Sequence, residues 1–443
     1  MRDLTKKEVL ERAQEQNVKF IRLQFTDILG VFKNIAINVE ELPKALEGKI
    51  FFDSSVIDGM VGNRKKEICL LPDPSSFVIF PWRPREGAVA RLICDVANPD
   101  GTPYEGCARS ALKKVVAEAE EMGLRLNVGA DAEFFLFETD EKSSPTLKAH
   151  DVAGFCDLSP VDLGENARRD MVLTLEEMGI EVSSSHHEFA PGQQEISLKG
   201  LDALMMADSL VTFRFVVRTI ASRHGLHASF MPKPINGLNG SGLHIYQSLY
   251  RDIDNIFVDP AQENKLSEAT LFYIGGLLKH ARAFTCVTNP IVNSYKRLAP
   301  DEFSPCYVAW STENRNTVVR VPLNRGSETR VEMRNPDSAA NPYLVIAVML
   351  KAGLDGIRNG TMPPQPVDAD LLTYSPEKLK RHNILRLPRN LDEAVNLLLK
   401  DKVVVQAIGS SLAERYISVK GAEWSRFEGY VHTWEVEEYL SVY

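Results

Sequence analysis

Between residues 18 and 25 the chain alternates, with Ile21, Leu23 and Phe25 on one side and Arg22 and Gln24 on the other. A period of two marks a strand with one face buried. Ahead of it, Thr5 and Glu8 form a T-x-x-E capping box before Val9, Leu10 and Ala13, which predicts an opening helix. Short apolar runs at 68–71, 77–80 and 89–94 continue the strand signal, so the first stretch reads as a small, strand-rich domain. A dense turn cluster, Asn98-Pro99-Asp100-Gly101-Thr102-Pro103, closes it. Beyond that cluster the period lengthens: Leu112, Val115, Ala119 and Met122 recur at helical spacing until Gly123. Further helices are predicted around 163–178, 204–224, 267–284 and 338–357, separated by short strands. The class is α+β, with a small domain over 1–102 and a large mixed one over 103–443.

Size agrees with two domains, since 443 residues exceed what one ordinary core encloses. The formal net charge of -9 gives no general attraction to nucleic acid. No apolar run approaches the roughly 20 residues of a membrane helix, and Met1 to Glu8 is charged from the start. The six cysteines, Cys69, Cys94, Cys107, Cys156, Cys286 and Cys306, have no paired spacing. Reduced thiols and a cytoplasmic location are the expectation.

Acidic side chains gather in a few places. Asp131 and Glu133 stand two apart in the strand-like run 128–137, so both point the same way beneath aromatic neighbours. Such a pair lies at a wet edge or is compensated by a cation. Downstream, Ser185-His186-His187-Glu188 is followed by the turn Pro191-Gly192 and then Glu195, which sets Glu188 and Glu195 facing each other across a loop. The two histidines fall on opposite faces, and either reads most simply as a hydrogen-bonded residue. In Asn239-Gly240-Ser241-Gly242-Leu243-His244 small residues allow backbone to approach a ligand, or simply make a turn. No Walker loop and no G-x-G-x-x-G occurs. In Thr329-Arg330-Val331-Glu332-Met333-Arg334, Arg330, Glu332 and Arg334 share one face, and Arg297, Arg315 and Arg320 add cations upstream. Acids for a divalent ion beside arginines for an anion suggest a metal-bound nucleotide triphosphate.

Taken in order, H-H-E-x-A-P-G-Q, N-G-S-G-x-H, N-S-Y-K-R-L and R-V-E-x-R followed by A-A-N-P-Y resemble type I glutamine synthetase in its shorter bacterial form. The likeness runs from Phe20 to Tyr439. It implies a β-grasp-like N-terminal domain and a catalytic domain with a curved antiparallel sheet and flanking helices. It implies ATP and glutamate as substrates, Mg²⁺ or Mn²⁺, and a dodecamer of two stacked hexameric rings with active sites between neighbouring subunits. By the family's pattern Glu133, Glu188 and Glu195 hold one ion, and Asp131, His244 and Glu332 the second. Arg297 and Arg334 grip glutamate with Asn239 and Gly240; Arg315 and Arg320 meet the phosphates; Ser248 lies near the adenine; Asp53 helps to bind ammonium.

The chain departs from that pattern around the amine. Where the family reads F-D-G-S-S-I, this chain has Val56 in place of a serine. Where it reads G-Y-F, Phe155 removes a tyrosine hydroxyl. In the flap, L-V-P-G-Y-E-A-P becomes L-A-P-D-E-F-S-P, so Phe303 takes the place of the glutamate that accepts the ammonium proton, with Glu302 beside it. Asp131 is one methylene shorter than the usual glutamate, and Gly62 replaces an arginine linked to feedback. The three amine-side changes run from polar to apolar, as a larger, greasier amine requires. The competing readings are glutamine synthesis from ammonia with Glu302 as substitute, and a non-catalytic regulatory or structural paralogue.

Overall fold

The computed structural model describes residues 4–57, 66–84, 86–301 and 303–443. Gly62 and Glu302 lie outside them. Helix α1 (Lys6–Glu15) opens on the predicted capping box, with Thr5 and Glu8 bonded reciprocally. The small domain is a six-stranded sheet of β1 (Val18–Thr26), β2 (Phe32–Asn38), β3 (Phe51–Asp53), β4 (Glu67–Pro72), β5 (Val78–Ile79) and β6 (Ala88–Ala97), with α2 (Leu42–Leu46) against it. Strand β1 pairs antiparallel with β2 but parallel with β6, which returns from far along the chain. Ile21, Leu23 and Phe25 face the core as their alternation predicts.

The large domain is built on an eleven-stranded sheet. Its strands are β7 (Arg125–Thr139), β8 (Pro145–Ala149), β9 (Val182–His187), β10 (Gln193–Asp202), β11 (Leu226–Ser229), β12 (Leu243–Arg251), β13 (Asp254–Asn255), β14 (Tyr307–Ser311), β15 (Thr317–Arg320), β16 (Val331–Met333) and β17 (Leu385–Arg386). The curved sheet is antiparallel apart from one parallel pair, β14 with β15. Helices α3 (Ala108–Glu120), α4 (Glu165–Glu177), α5 (Ala203–Arg223), α6 (Glu268–Thr288), α7 (Ser294–Arg297) and α8 (Pro342–Asn359) flank it. Helix α8 begins later than the periodicity over 338–357 predicts. Asn341 is its cap, accepting from the Tyr343 N–H, and Pro342 takes the first position, where a missing N–H is harmless. All six cysteines are free, five of them buried. Among the described residues no helix is long and apolar enough to cross a membrane.

Arg109 on α3 joins the two domains. The residue is 3% exposed, and its guanidinium donates to Asp73 and Asp95 of the small domain and to Asp208 on α5. Arg109→Ala would take the shared cation from three carboxylates at once, leaving them to Ser75, Lys113 and the Tyr343 hydroxyl, and breaking such a buried pair typically costs about 3–5 kcal/mol. Urea unfolding should show a loss of that size, against almost nothing for the exposed pair partner Lys7→Ala.

Candidate active site

Strand β7 organises the site through its register. Glu133 lies opposite Glu195 on β10, and Glu195 in turn lies opposite His186 on β9. Asp131 faces Ser197 on one side and His244 of β12 on the other. One row further, Tyr246 pairs with Glu332 of β16, and Glu332 with Arg320 of β15. Because strand side chains alternate, these rows share one face. The reverse face carries Ala130, Ala132 and Phe134 into the core, where Phe134 meets the Phe213 ring of α5 at 6.0 Å. The apolar face pins the register, and the register places the acids.

A cavity of about 220 Å³ opens over the polar face. It is lined by Asp131, Glu133, Glu188, Glu195, His244 and Glu332, by Arg297, Arg315, Arg320 and Arg334, and by Asn239, Gly240, Phe155 and Phe303. Sequence reasoning missed its other walls, among them His186, Phe189, Gln193, Tyr246 and Asp301. Three expected residues lie elsewhere. Ser248 is buried in β12 and donates to the Thr329 carbonyl. Asp53 caps a short turn by accepting from the Ser55 N–H, and Val56 ends that turn, half-exposed.

Cross-strand like charges repel, and those of Glu133 and Glu195 do so in a buried setting. Burial and then Glu188 push the Glu133 carboxyl up to about 7. Burial, Glu133, Asp131 and Glu188 raise Glu195, and burial raises Asp131 although Tyr246 donates to it at 2.6 Å. This is an acid cluster without enough positive charge. His244 is held well below its ordinary value by burial and by Arg334, Arg297 and Arg320, so it presents neutral nitrogens.

Ligand atoms of Asp131, Glu195 and His244 lie within 4.8 Å of one another, as do those of His186, Glu188 and Glu195. The buried, undercompensated acids and the neutral imidazole suit a hard divalent cation. These groupings share Glu195 and differ from the division the resemblance implies. Glu133 instead accepts from the Gly242 N–H and the Gln193 amide, both at 2.9 Å. Glu332, fully buried, is held by Arg320 and Arg334.

The glycine segment is required for closeness within the protein. A Cβ on Gly240 would stand 2.0 Å from the Pro232 carbonyl oxygen, and one on Gly242 would stand 2.7 Å from an Arg297 nitrogen. Arg297 is fixed from behind by the carbonyls of Arg334, Asn335 and Pro336. The alternation of the histidines holds: His186 faces the cavity and bonds Glu188 at 3.0 Å, while His187 turns away to Asp151 at 2.9 Å.

At the mouth the walls become aromatic. Phe155 stacks on Phe189 with centroids 4.5 Å apart, and Phe189 meets Phe303 at 5.0 Å. The loop bearing Phe303 is tied down where Ser304 donates to the Arg297 carbonyl and Asn316 to the Asp301 carbonyl. The Asp301 carboxylate accepts from the Phe303 N–H at 3.0 Å and pairs with Lys233.

The glutamine synthetase catalytic-domain model matches residues 105–439, and the glutamine synthetase beta-Grasp model matches residues 17–99. The chain belongs to the glutamine synthetase family. It is 52% identical to the glutamine synthetase of Clostridium saccharobutylicum over the whole of both chains. It is 46% identical to that of Staphylococcus aureus strain N315, over all of this chain and 99% of the other. Among solved structures, a GmaS/ADP complex superposes with a TM-score of 0.88 at 31% identity, covering 98% of this chain and 99% of that one. The Plasmodium falciparum glutamine synthetase gives 0.87 at 25% identity, with 99% and 100% covered. Family membership brings the coarse activity, ATP-dependent ligation of a carboxylate to an amine.

Proposed function

We propose that the protein joins the γ-carboxylate of glutamate to an amine larger and more apolar than ammonia, forming a γ-glutamyl amide. The observation that carries this is the contact chain Phe155–Phe189–Phe303 at the cavity mouth. It unites two of the three amine-side positions that depart from the family pattern. Ammonium needs acceptors on several sides, whereas an alkyl or aryl amine needs apolar walls and one acceptor. Asp301 lines the same cavity and supplies a carboxylate there. Turnover of ATP and glutamate across a panel of amines tests the reading, and ammonia outperforming every organic amine would overturn it. The second reading, glutamine synthesis from ammonia, draws on the 52% identity to the Clostridium enzyme.

A carboxylate is a poor acyl donor, so ATP first converts it to an acyl phosphate, which the amine then displaces. Arg297 and Arg334, with Asn239 and Gly240, orient glutamate; Arg315 and Arg320 meet the transferring phosphates. Asp131, Glu133, Glu188, Glu195, His244 and Glu332 are the residues to hold Mg²⁺ or Mn²⁺, with His186 added by the geometry. When bound, the ions spread the charge of the phosphoryl group. Presence of all these side chains around one cavity argues against a non-catalytic paralogue. Glu195→Ala, which removes the acid common to both ligand groups, should lower turnover at least about 100-fold and raise the metal concentration needed for half-activity. Unchanged metal dependence in a steady-state assay would reject that role.

We further propose domains over 1–102 and 103–443, a cytoplasmic location and assembly as a dodecamer of two rings. Supporting the assembly, the C-terminal helix Thr433–Tyr439 and the residues after it leave Trp434, Val436, Leu440 and Val442 exposed. Asp53 and Val56 lie off their own chain's cavity, where a site completed by a neighbour would leave them. Light scattering measures the mass directly.

A further inference from the structure

A second cavity, of about 550 Å³, lies away from the acid cluster, between the turn joining β1 to β2, helix α5 and strand β11. Its charged lining is all of one sign. Arg214 and Arg218 stand one helical turn apart on α5, and His227 faces them from β11. No carboxylate lines this cavity among the described residues; the buried Asp337 carboxylate, behind the wall, favours the charge of Arg214 but is outweighed by burial and Arg218. Several other arginines find acids: Arg109 meets Asp208, Arg168 meets Asp162, and Arg320 and Arg334 share Glu332. Arg214 spends one N–H on the Ala340 carbonyl, and Arg218 rests over the Phe230 ring at 5.3 Å. Burial and the charge of Arg218 hold the Arg214 guanidinium below its ordinary value, and burial with Arg218 lowers His227.

We propose that this cavity binds an organic anion with one carboxylate or phosphate and an apolar body. Two guanidinium groups a turn apart on one face match the oxygens of such a group, and an anion there relieves their mutual repulsion. Phe32, Phe215, Phe230 and Met231 form the remaining walls and suit an aromatic or branched body. The volume falls within the range of roughly 300–1,000 Å³ typical of small-molecule sites. Occupancy reaches the catalytic sheet through Ser338. It lines this cavity and donates its hydroxyl to the carbonyls of Glu133 at 2.7 Å and Gly242 at 2.8 Å. The inference is independent of which amine the enzyme uses.

The test is calorimetric titration of the full-length enzyme with Mg²⁺ and saturating ADP, so that the catalytic cavity is occupied. Phenyl phosphate and phenylacetate are the probes; inorganic phosphate and benzyl alcohol each lack one half of the required chemistry. The aromatic anions should bind about tenfold more tightly than either control, and Arg218→Gln should remove that advantage. Arg218 is exposed at the rim, so this variant should fold and keep basal turnover. Arg214→Gln should weaken binding similarly. Equal binding of all four probes, binding unchanged in Arg218→Gln, or binding abolished by ADP would each overturn the proposal. So would a change of oligomeric mass in Arg218→Gln without probe binding to the parent, because a second copy of the chain would then be the occupant.

Discussion

Phe303→Glu is expected to raise the preference for ammonia over a bulky amine about 100-fold, read as the ratio of kcat/KM values, a shift of about 2.7 kcal/mol. The substitution acts twice. It places a carboxylate where the incoming nitrogen must lose a proton, and a positioned base contributes roughly 10²–10⁴-fold. It also removes one ring from the Phe155–Phe189–Phe303 chain and so takes apolar wall from a large amine. Half-exposed Phe303 lies on a loop already tied through Ser304 and Asn316, so the change should cost little stability. Competition between ammonia and an alkyl amine, resolved by mass spectrometry of the two amides, gives the ratio directly. An unchanged ratio would remove Phe303 from any role in amine choice. Phe189→Ala separates the two effects: it should weaken the large amine without helping ammonia.

Much of the polar face was legible because strands expose it by simple alternation. Asp131 with Glu133, and Arg330 with Glu332 and Arg334, follow from period two alone. The same period, applied from His244, places Tyr246 on that face, and applied from Glu188 it places His186 there. Both were within reach. Adjacent histidines obscured the second, because one of them, His187, is a buried structural partner of Asp151. Phe189 and Asp301 were less accessible. They lie in loops, where no period operates, and join the cavity only through tertiary contacts. Likewise Glu133 opposite Glu195 depends on the pairing of β7 with β10 across more than fifty intervening residues. The parallel pairing of β1 with β6 is non-local too. The start of α8 was misplaced because apolar periodicity runs through Ala339 and Ala340, although Pro342 marks the first position at which a helix can begin without losing a bond.

Removing divalent metal should destabilise the enzyme progressively as pH rises from about 4.5 to about 7, and restoring Mg²⁺ or Mn²⁺ should abolish that part of the pH dependence. The sign follows from Glu133. Its ordinary value of 4.5 rises to about 7 in the folded, metal-free site, through burial and then Glu188. Between those values the folded chain holds a proton that the unfolded chain has released. The stabilisation is therefore complete below 4.5 and disappears as pH climbs through about 7, with Glu133 alone contributing about 3 kcal/mol. Glu195 and Asp131 are raised too and act in the same direction. His187 and His280, raised against the opposing effect of burial by Asp151 and by Asp401 with Asp355 respectively, also lose stabilisation with rising pH, but independently of metal. The difference between metal-loaded and chelator-treated enzyme isolates the acid cluster. At a hundredfold excess of metal over its dissociation constant, the loaded enzyme should gain about 2.7 kcal/mol from binding itself. Loading near pH 6 must release protons, detectable as a calorimetric heat that varies with the ionisation enthalpy of the buffer. Parallel stability curves with and without metal, or a heat indifferent to the buffer, would mean that these carboxylates never shared an ion.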